Sequence, residues 1–175
     1  MENLLQNLVD HWVTILAVVI IVIAAATAYL MFLSRLERRV RKAWLDVYEC
    51  FLSRSDKAPL LVEFVRDGMK DGIPDYESLL DELIVARGAT ANMALPDEAK
   101  RLVEKSFEEV LLRVIGETSE QAGLKKNAHF LALLKEFDEW NSRVELLIVA
   151  YLRTLRIYKG FAFGSTPEGY GEFEY

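Results

Sequence analysis

A single cysteine, Cys50, stands in 175 residues, so no internal disulfide can form and a reducing compartment is the natural fit. Its expected role is that of a small apolar filler on a helix. Histidine is nearly as scarce, with only His11 and His129. So few soft ligands exclude a four-ligand zinc site. A di-iron bundle needs Glu-x-x-His repeats on facing helices, and no Glu stands three residues before His129. No glycine-rich phosphate loop precedes a helix. A Cys50–His129 nucleophile pair has no support beyond the presence of both residues, and His129 is expected to cap or pack near a helix start. Adjacent acids such as Glu108-Glu109 and Asp138-Glu139 read as solvated helix faces. The expectation is therefore no catalytic residue, no metal, no cofactor and no enzyme.

Charge is missing in two places. Residues 13–33, VTILAVVIIVIAAATAYLMFL, carry none, and no Lys or Arg occurs before Arg35. As a helix the segment would rise about 30 Å, the thickness of a bilayer core. A soluble core helix is rarely uncharged on every face over that length. A cleaved signal peptide would need a basic n-region and a shorter apolar stretch, which favours a retained anchor. Beyond it, Arg35, Arg38, Arg39, Arg41 and Lys42 form a membrane-proximal basic cluster. An excess of Lys and Arg stays on the cytoplasmic side. The N-terminus, residues 1–12, is thus expected outside, with the bulk of the chain in the cytoplasm at the cell (inner) membrane. The cluster reads first as a topology signal and second as an attractor of anionic headgroups. All 21 Lys and Arg lie beyond the run, as do all but two of the 27 Asp and Glu. A mildly acidic domain with one local basic patch argues against a nucleic-acid partner.

Helical spacing dominates the remainder, and no alternating strand pattern persists. Leu36, Val40, Trp44, Val47 and Phe51 recur at steps of three or four, and neither Gly nor Pro interrupts residues 34–54. The anchor is therefore expected to run without a break into the domain. Asp56 is placed to cap a helix with Pro59 in its first turn. Gly68, Gly72 and Pro74 weaken or kink that helix, leaving residues 59–87 as either one kinked helix or two. Residues 88–95 read as a loop. Pro96 and Asp97 open a helix with Val103, Phe107, Val110, Leu111 and Val114 on one face and a stop expected at Gly116. The last helix carries Phe130, Leu133, Phe137, Trp140, Val144, Leu147, Tyr151 and Tyr158 at heptad spacing, widened by Leu134, Ile148 and Leu155. Such a wide apolar face suits a bundle.

Residues 160–175, GFAFGSTPEGYGEFEY, hold three acids and no base. The aromatics Phe161, Phe163, Tyr170, Phe173 and Tyr175 make the tail either a segment that folds back on the bundle or a docking site for a partner, since exposed aromatics are costly unless covered.

Val40, Ala43, Trp44 and Asp46 are followed by the pattern Leu52-x-Arg54-x-Asp56-x-x-Pro59-x-Leu61-Val62-x-x-Val65. Two further blocks are Glu77-x-x-Leu80-x-x-Leu83-x-x-Ala86-Arg87 and Leu124-Lys125-x-Asn127-x-x-Phe130-x-x-Leu133. In these residues the chain resembles the LemA family. Gln121-Ala122 replaces the family's Tyr-Pro pair. Ile148, Leu152 and Lys159 replace the polar signature of its last helix, leaving the apolar frame of a divergent member. The resemblance implies an N-out anchor and an antiparallel bundle of long helices, and implies no established reaction. Arg54 and Arg87, both near helix ends, are expected to meet unpaired carbonyls, with ligand binding as the alternative.

The reading is an all-α protein: a transmembrane helix at 13–33, a cytoplasmic antiparallel bundle at 34–159, and an aromatic tail at 160–175. Its expected partners are the lipid bilayer and other proteins, and a homo-oligomer is a further candidate because Ala24, Ala25, Ala26 and Ala28 would let anchors approach closely. The expected function is that of a membrane-tethered scaffold or adaptor, with a ligand sensor or membrane-shaping oligomer as alternatives.

Overall fold

The computed structural model describes residues 2–68, 74–90, 94–119 and 121–173. Those residues are all-α. The chain order is α1 (Glu2–Ser55), α2 (Ala58–Gly68), α3 (Pro74–Thr90), α4 (Glu98–Ser119), the single turn α5 (Ala122–Lys125) and α6 (Ala128–Phe161).

Helix α1 is unbroken over 54 residues, about 80 Å at 1.5 Å per residue. The absence of Gly and Pro through its middle allows this. One end is the apolar run and the other is a core element of the domain. From residue 11 to residue 32 every residue is exposed, and the protein touches the apolar run at its last turns, where Phe161 meets Phe32. From Leu36 onward the helix buries Val40, Trp44, Val47, Cys50 and Phe51 at the expected spacing.

Helix α6 lies antiparallel to α1. Phe161 at its end meets Phe32, while Asn141, nearer its start, meets Arg54. Helices α3 and α4 are also antiparallel, with Arg113 on Glu82 at 3.1 Å and Lys100 reaching the carbonyl of Thr90 at 2.8 Å.

Two apolar clusters form the core. The one nearer the apolar run joins Val40, Trp44, Val47, Phe51, Val144, Ile148, Tyr151, Leu155 and Phe173. The distal one gathers Leu61, Val65, Leu80, Leu83, Phe107, Leu111, Val114, Leu124, Phe130 and Phe137. Trp140 packs against both. On α6 the fully buried line passes through Ile148 and Leu155, while Trp140, Leu147 and Tyr158 are half-buried. The buried face is thus rotated slightly from the heptad seam, as a multi-helix core requires.

Several boundaries differ from the sequence reading. The segment from Pro59 to Arg87 holds two helices, α2 and α3; Gly72 lies outside the described residues. Helix α3 continues through Gly88 to Thr90, and α4 passes Gly116 to end at Ser119. An added Cβ at Gly88 or Gly116 would meet nothing within 4 Å. A glycine costs a helix only about 1 kcal/mol, and packing on either side of these two offsets it. Gly68 and Gly123 are different, because a Cβ on Gly123 would lie 3.0 Å from the Gly68 carbonyl oxygen. A side chain at Gly123 would crowd that backbone, while one at Gly68 would meet the movable Leu124 side chain.

Asp97 accepts from the Lys100 amide at 2.7 Å and starts α4. Asn127 accepts from the His129 and Phe130 amides at 3.0 and 3.2 Å and starts α6. Replacing Asn127 by alanine is expected to destabilise the bundle by about 1 kcal/mol, read as a lower chemical-denaturation midpoint. Asn127→Asp should restore most of it, and equal stability of the alanine variant would contradict the capping role.

Candidate functional site: a membrane-proximal end and a buried charge layer

The basic cluster is the first feature to place. Arg35, Arg38, Arg39 and Lys42 are exposed on α1 just beyond the apolar run. Arg35 and Arg38 line a shallow groove of about 330 Å³ with Thr27, Leu30, Met31 and Ser34. Arg41 is engaged within the protein. It pairs with Glu37 at 2.6 Å, its guanidinium lies 5.4 Å from the Tyr170 ring, and the Glu37 hydrogen bond raises its pKa above the ordinary value. All five are exposed, and Arg41 is the one that also meets the tail, at Tyr170.

The tail folds back on the bundle. Tyr151 donates to the Gly171 carbonyl at 2.6 Å, and Lys159 pairs with Glu172 at 2.6 Å. Phe173 is fully buried against Trp44, with ring centroids 5.0 Å apart, and against Phe51 at 6.0 Å. The expected set of docking aromatics is corrected accordingly. Phe173 is a core residue and Tyr170 is half-buried over Arg41. Burying a ring this size stabilises by about 1.5–3 kcal/mol, which explains the fold-back despite the glycines. Phe161 and Phe163 stay exposed, and Tyr175 lies outside the described residues. Burial pushes the Tyr151 hydroxyl well above its ordinary pKa, so this donor to Gly171 stays protonated.

The Lys159 hydrogen bond and charge hold the Glu172 carboxyl below its ordinary value. The ionised carboxylate is thus the form that favours the docked tail. Its contribution is complete above the unfolded-chain value of about 4.3 and is lost as pH falls through the lower folded value. Acidification through that range is expected to raise proteolytic cleavage of the tail, measured with an acid-active protease. Lys159→Gln should weaken this pH dependence, and an identical profile in that variant would argue against the pair.

Between the two apolar clusters lies a layer of buried charge. Arg54, Lys100 and Glu104 are each 0% exposed. Arg54 donates to Glu104 at 3.1 Å and to Asn141 at 3.0 Å, with Glu108 at 4.0 Å. Lys100 lies 2.6 Å from the other Glu104 oxygen and donates to the Thr90 carbonyl. The guanidinium stands 5.4 Å from both the Phe51 and Phe107 rings, and the ammonium 5.2 Å from Tyr48. The expectation that Arg54 meets carbonyls at the end of α1 is corrected here, because the side chain turns into the core. Arg87, expected at the carbonyls of its own helix end, reaches the end of α1 instead, donating to the Ser55 carbonyl at 3.0 Å and lying 3.5 Å from Asp56. Lys100 and Glu104 are not singled out by the sequence reading. A signal for them exists, because Lys100, Glu104, Phe107, Leu111, Val114 and Thr118 recur at steps of four and three along one face of α4, and all are buried.

Cys50 is buried as expected, and burial raises its thiol pKa. It borders a polar groove of about 350 Å³ with Asp46, Glu49, Ser53, Trp140, Arg143 and Leu147. Among the described residues no group of three or more His, Cys, Asp and Glu side chains is placed to hold a metal ion. His129 is exposed at the start of α6. Among the described residues one helix is long and apolar enough to cross a membrane, and it is α1. No protein-family model matches this chain, and no curated protein matches it either.

Proposed function

We propose that this protein is a membrane-anchored, non-catalytic scaffold of the LemA type, with its N-terminus outside and its bundle on the cytoplasmic face. The observation that carries this reading is the continuity of α1. An apolar rod exposed along its length runs without a break into the centre of a packed domain. A soluble protein would bury such a surface. Lipid needs to supply only an apolar solvent, and the basic flank supplies the orientation. The rigid junction fixes the bundle's stance relative to the bilayer, which suits a platform for other proteins. The outer side of α6 offers a binding face, where Leu146, Val149 and Ile157 are exposed along one stripe.

The test is membrane fractionation of the full chain beside the variant Val19→Lys, Ile20→Lys. The native chain should resist alkaline extraction and the charged variant should be released, since each central Lys opposes insertion by about 2.5–3.5 kcal/mol. Protease added to sealed vesicles of known orientation should cut the bundle only from the cytoplasmic side. A native chain freely extracted at alkaline pH would sink the reading.

A second reading, a membrane-tethered ligand sensor, draws on the groove beside Cys50 and Arg143. It requires a thermal shift of the full chain in micelles by a small molecule, and loss of that shift in Arg143→Ala.

A further inference from the structure

The end of α6 comes down beside the last apolar turns of α1. The Tyr29 hydroxyl donates to the Phe161 carbonyl, and the Phe32 and Phe161 rings meet edge to face at 5.0 Å. Tyr29 is six residues before Arg35, about 9 Å along the helix axis. Phe161 therefore sits deeper than the basic cluster, at the level of uncharged sequence. From there the chain reverses. Ala162 bonds back to Tyr158, Gly164 to Lys159 and Ser165 to Ala162. The returning limb then climbs along α1, with Tyr170 at Arg41 and Phe173 at Trp44. The reversal at 160–167 is the tip of this excursion, and it carries no charge between Lys159 and Glu168.

At that tip Phe163 is 92% exposed and has φ of +52°. The left-handed region disfavours a residue with a side chain, which is why glycine most often closes a helix end this way. The helix end would form more easily with a glycine in place of Phe163, as the chain has at Gly164 with φ of +85°. The left-handed turn itself closes the end of α6, where the Gly164 amide reaches back to the Lys159 carbonyl. What that closure does not require is a large apolar ring pointing out of the protein. The exposed ring makes sense if it faces lipid.

We propose that the 160–167 reversal is a second membrane contact, in which Phe161 and Phe163 enter the headgroup–acyl boundary of the leaflet that α1 crosses. This rests on the anchor reading and adds to it. Tyr29 and Phe32 stand in the last turns of the uncharged run, the shallow zone in which interfacial apolar groups lie. Arg35, Arg38, Arg39 and Arg156, exposed on the domain side of this level, would face anionic headgroups. Two contacts, one spanning and one interfacial, would prevent the bundle from swivelling about α1.

The test uses the full chain in vesicles of phosphatidylcholine and phosphatidylglycerol. A small fluorophore is attached at Ser165→Cys in a Cys50→Ala background, leaving Phe163 in place. Parallel labels at Ile20→Cys and Val85→Cys report the anchor and the aqueous domain. Spin-labelled lipids should quench positions 165 and 20 and spare 85, and aqueous iodide should do the reverse. Phe163→Gly, which relieves the backbone, should keep the native melting temperature in micelles yet lose most lipid quenching at 165. If 165 responds to iodide like 85 while 20 stays lipid-quenched, the second contact is wrong and the anchor stands. If 20 is also open to iodide, both are wrong. Unchanged lipid quenching in Phe163→Gly would remove the role assigned to the ring.

Discussion

Replacing Glu104 by alanine is expected to cost about 3–5 kcal/mol of bundle stability, the usual penalty for breaking a buried charge pair from one side. The size follows from what remains. Arg54 and Lys100 are both fully buried, and Glu104 accepts from one and lies within ion-pair distance of the other. Without it, two cations share a site in which Glu108, 4.0 Å from Arg54, is the nearest counter-charge. Glu104→Gln keeps the shape and an acceptor, and should fall between the two. The comparison that isolates the mechanism is the triple variant Arg54→Met, Lys100→Met, Glu104→Leu. Apolar replacement of a whole buried network is often neutral or stabilising by about 1–4 kcal/mol, so this variant should be at least as stable as the native chain. Chemical denaturation of the full chain in micelles, followed by helical circular dichroism, reads all three. A cost for Glu104→Ala below about 1 kcal/mol would mean that water reaches the layer, contrary to its burial.

The layer also gives a reason for its own retention. It joins the end of α1 to α4 and, through Asn141, to α6. Apolar contacts tolerate small slips between helices, whereas an ion pair at 2.6–3.1 Å does not. On this view the triple variant would keep stability but lose a unique register, seen as broadened side-chain resonances around Phe51 and Phe107.

Trp44→Ala is expected to have the second large effect, about 3–5 kcal/mol from the cavity alone. Its indole packs against Tyr151 at 5.5 Å, Phe173 at 5.0 Å and Phe51 at 6.4 Å, and donates to the Ala94 carbonyl at 2.6 Å. Four parts of the chain thus meet on one side chain: α1, α6, the tail and the approach to α4. Losing the hydrogen bond adds about 0.5–1.5 kcal/mol. The tail should also detach, because Phe173 loses the larger of its aromatic partners, so proteolysis within residues 165–173 should accelerate. Trp44→Phe keeps much of the ring and should lose less stability while holding the tail. A tail equally protected in Trp44→Ala would show that Tyr151, Lys159 and Phe51 hold it without the indole.

The limits of sequence reading are clearest at Arg54, Lys100 and Glu104. Charged side chains are almost never fully buried unless paired, and a single sequence does not show that Glu104 on α4, already paired with Lys100, also meets Arg54, fifty residues away. Helical spacing places both on the apolar face of α4, but spacing records a face without its neighbours. The tail has the same ambiguity. Phe173 and Phe163 are both aromatics among glycines, and nothing local separates them. One finds Trp44 and is buried, while the other, earlier in the tail, is turned outward.

What the residues settle without neighbours are properties of single helices. The uncharged run at 13–33, the unbroken rod that follows it, the apolar stripe of α6 and the Asn127 start all depend on periodicity, composition and local hydrogen bonding. These act within a few residues along the chain. Tertiary structure decided what depends on which helices meet: the charge layer, the meeting of Arg41 with the tail, the continuation of α3 and α4 through Gly88 and Gly116, and the return of the tail. At Gly88 and Gly116 packing outweighed a local helix preference of about 1 kcal/mol; the charge layer and the tail depend on partners far away in the chain. Local rules cannot rank such contacts, because their energies belong to partners that the sequence does not place side by side.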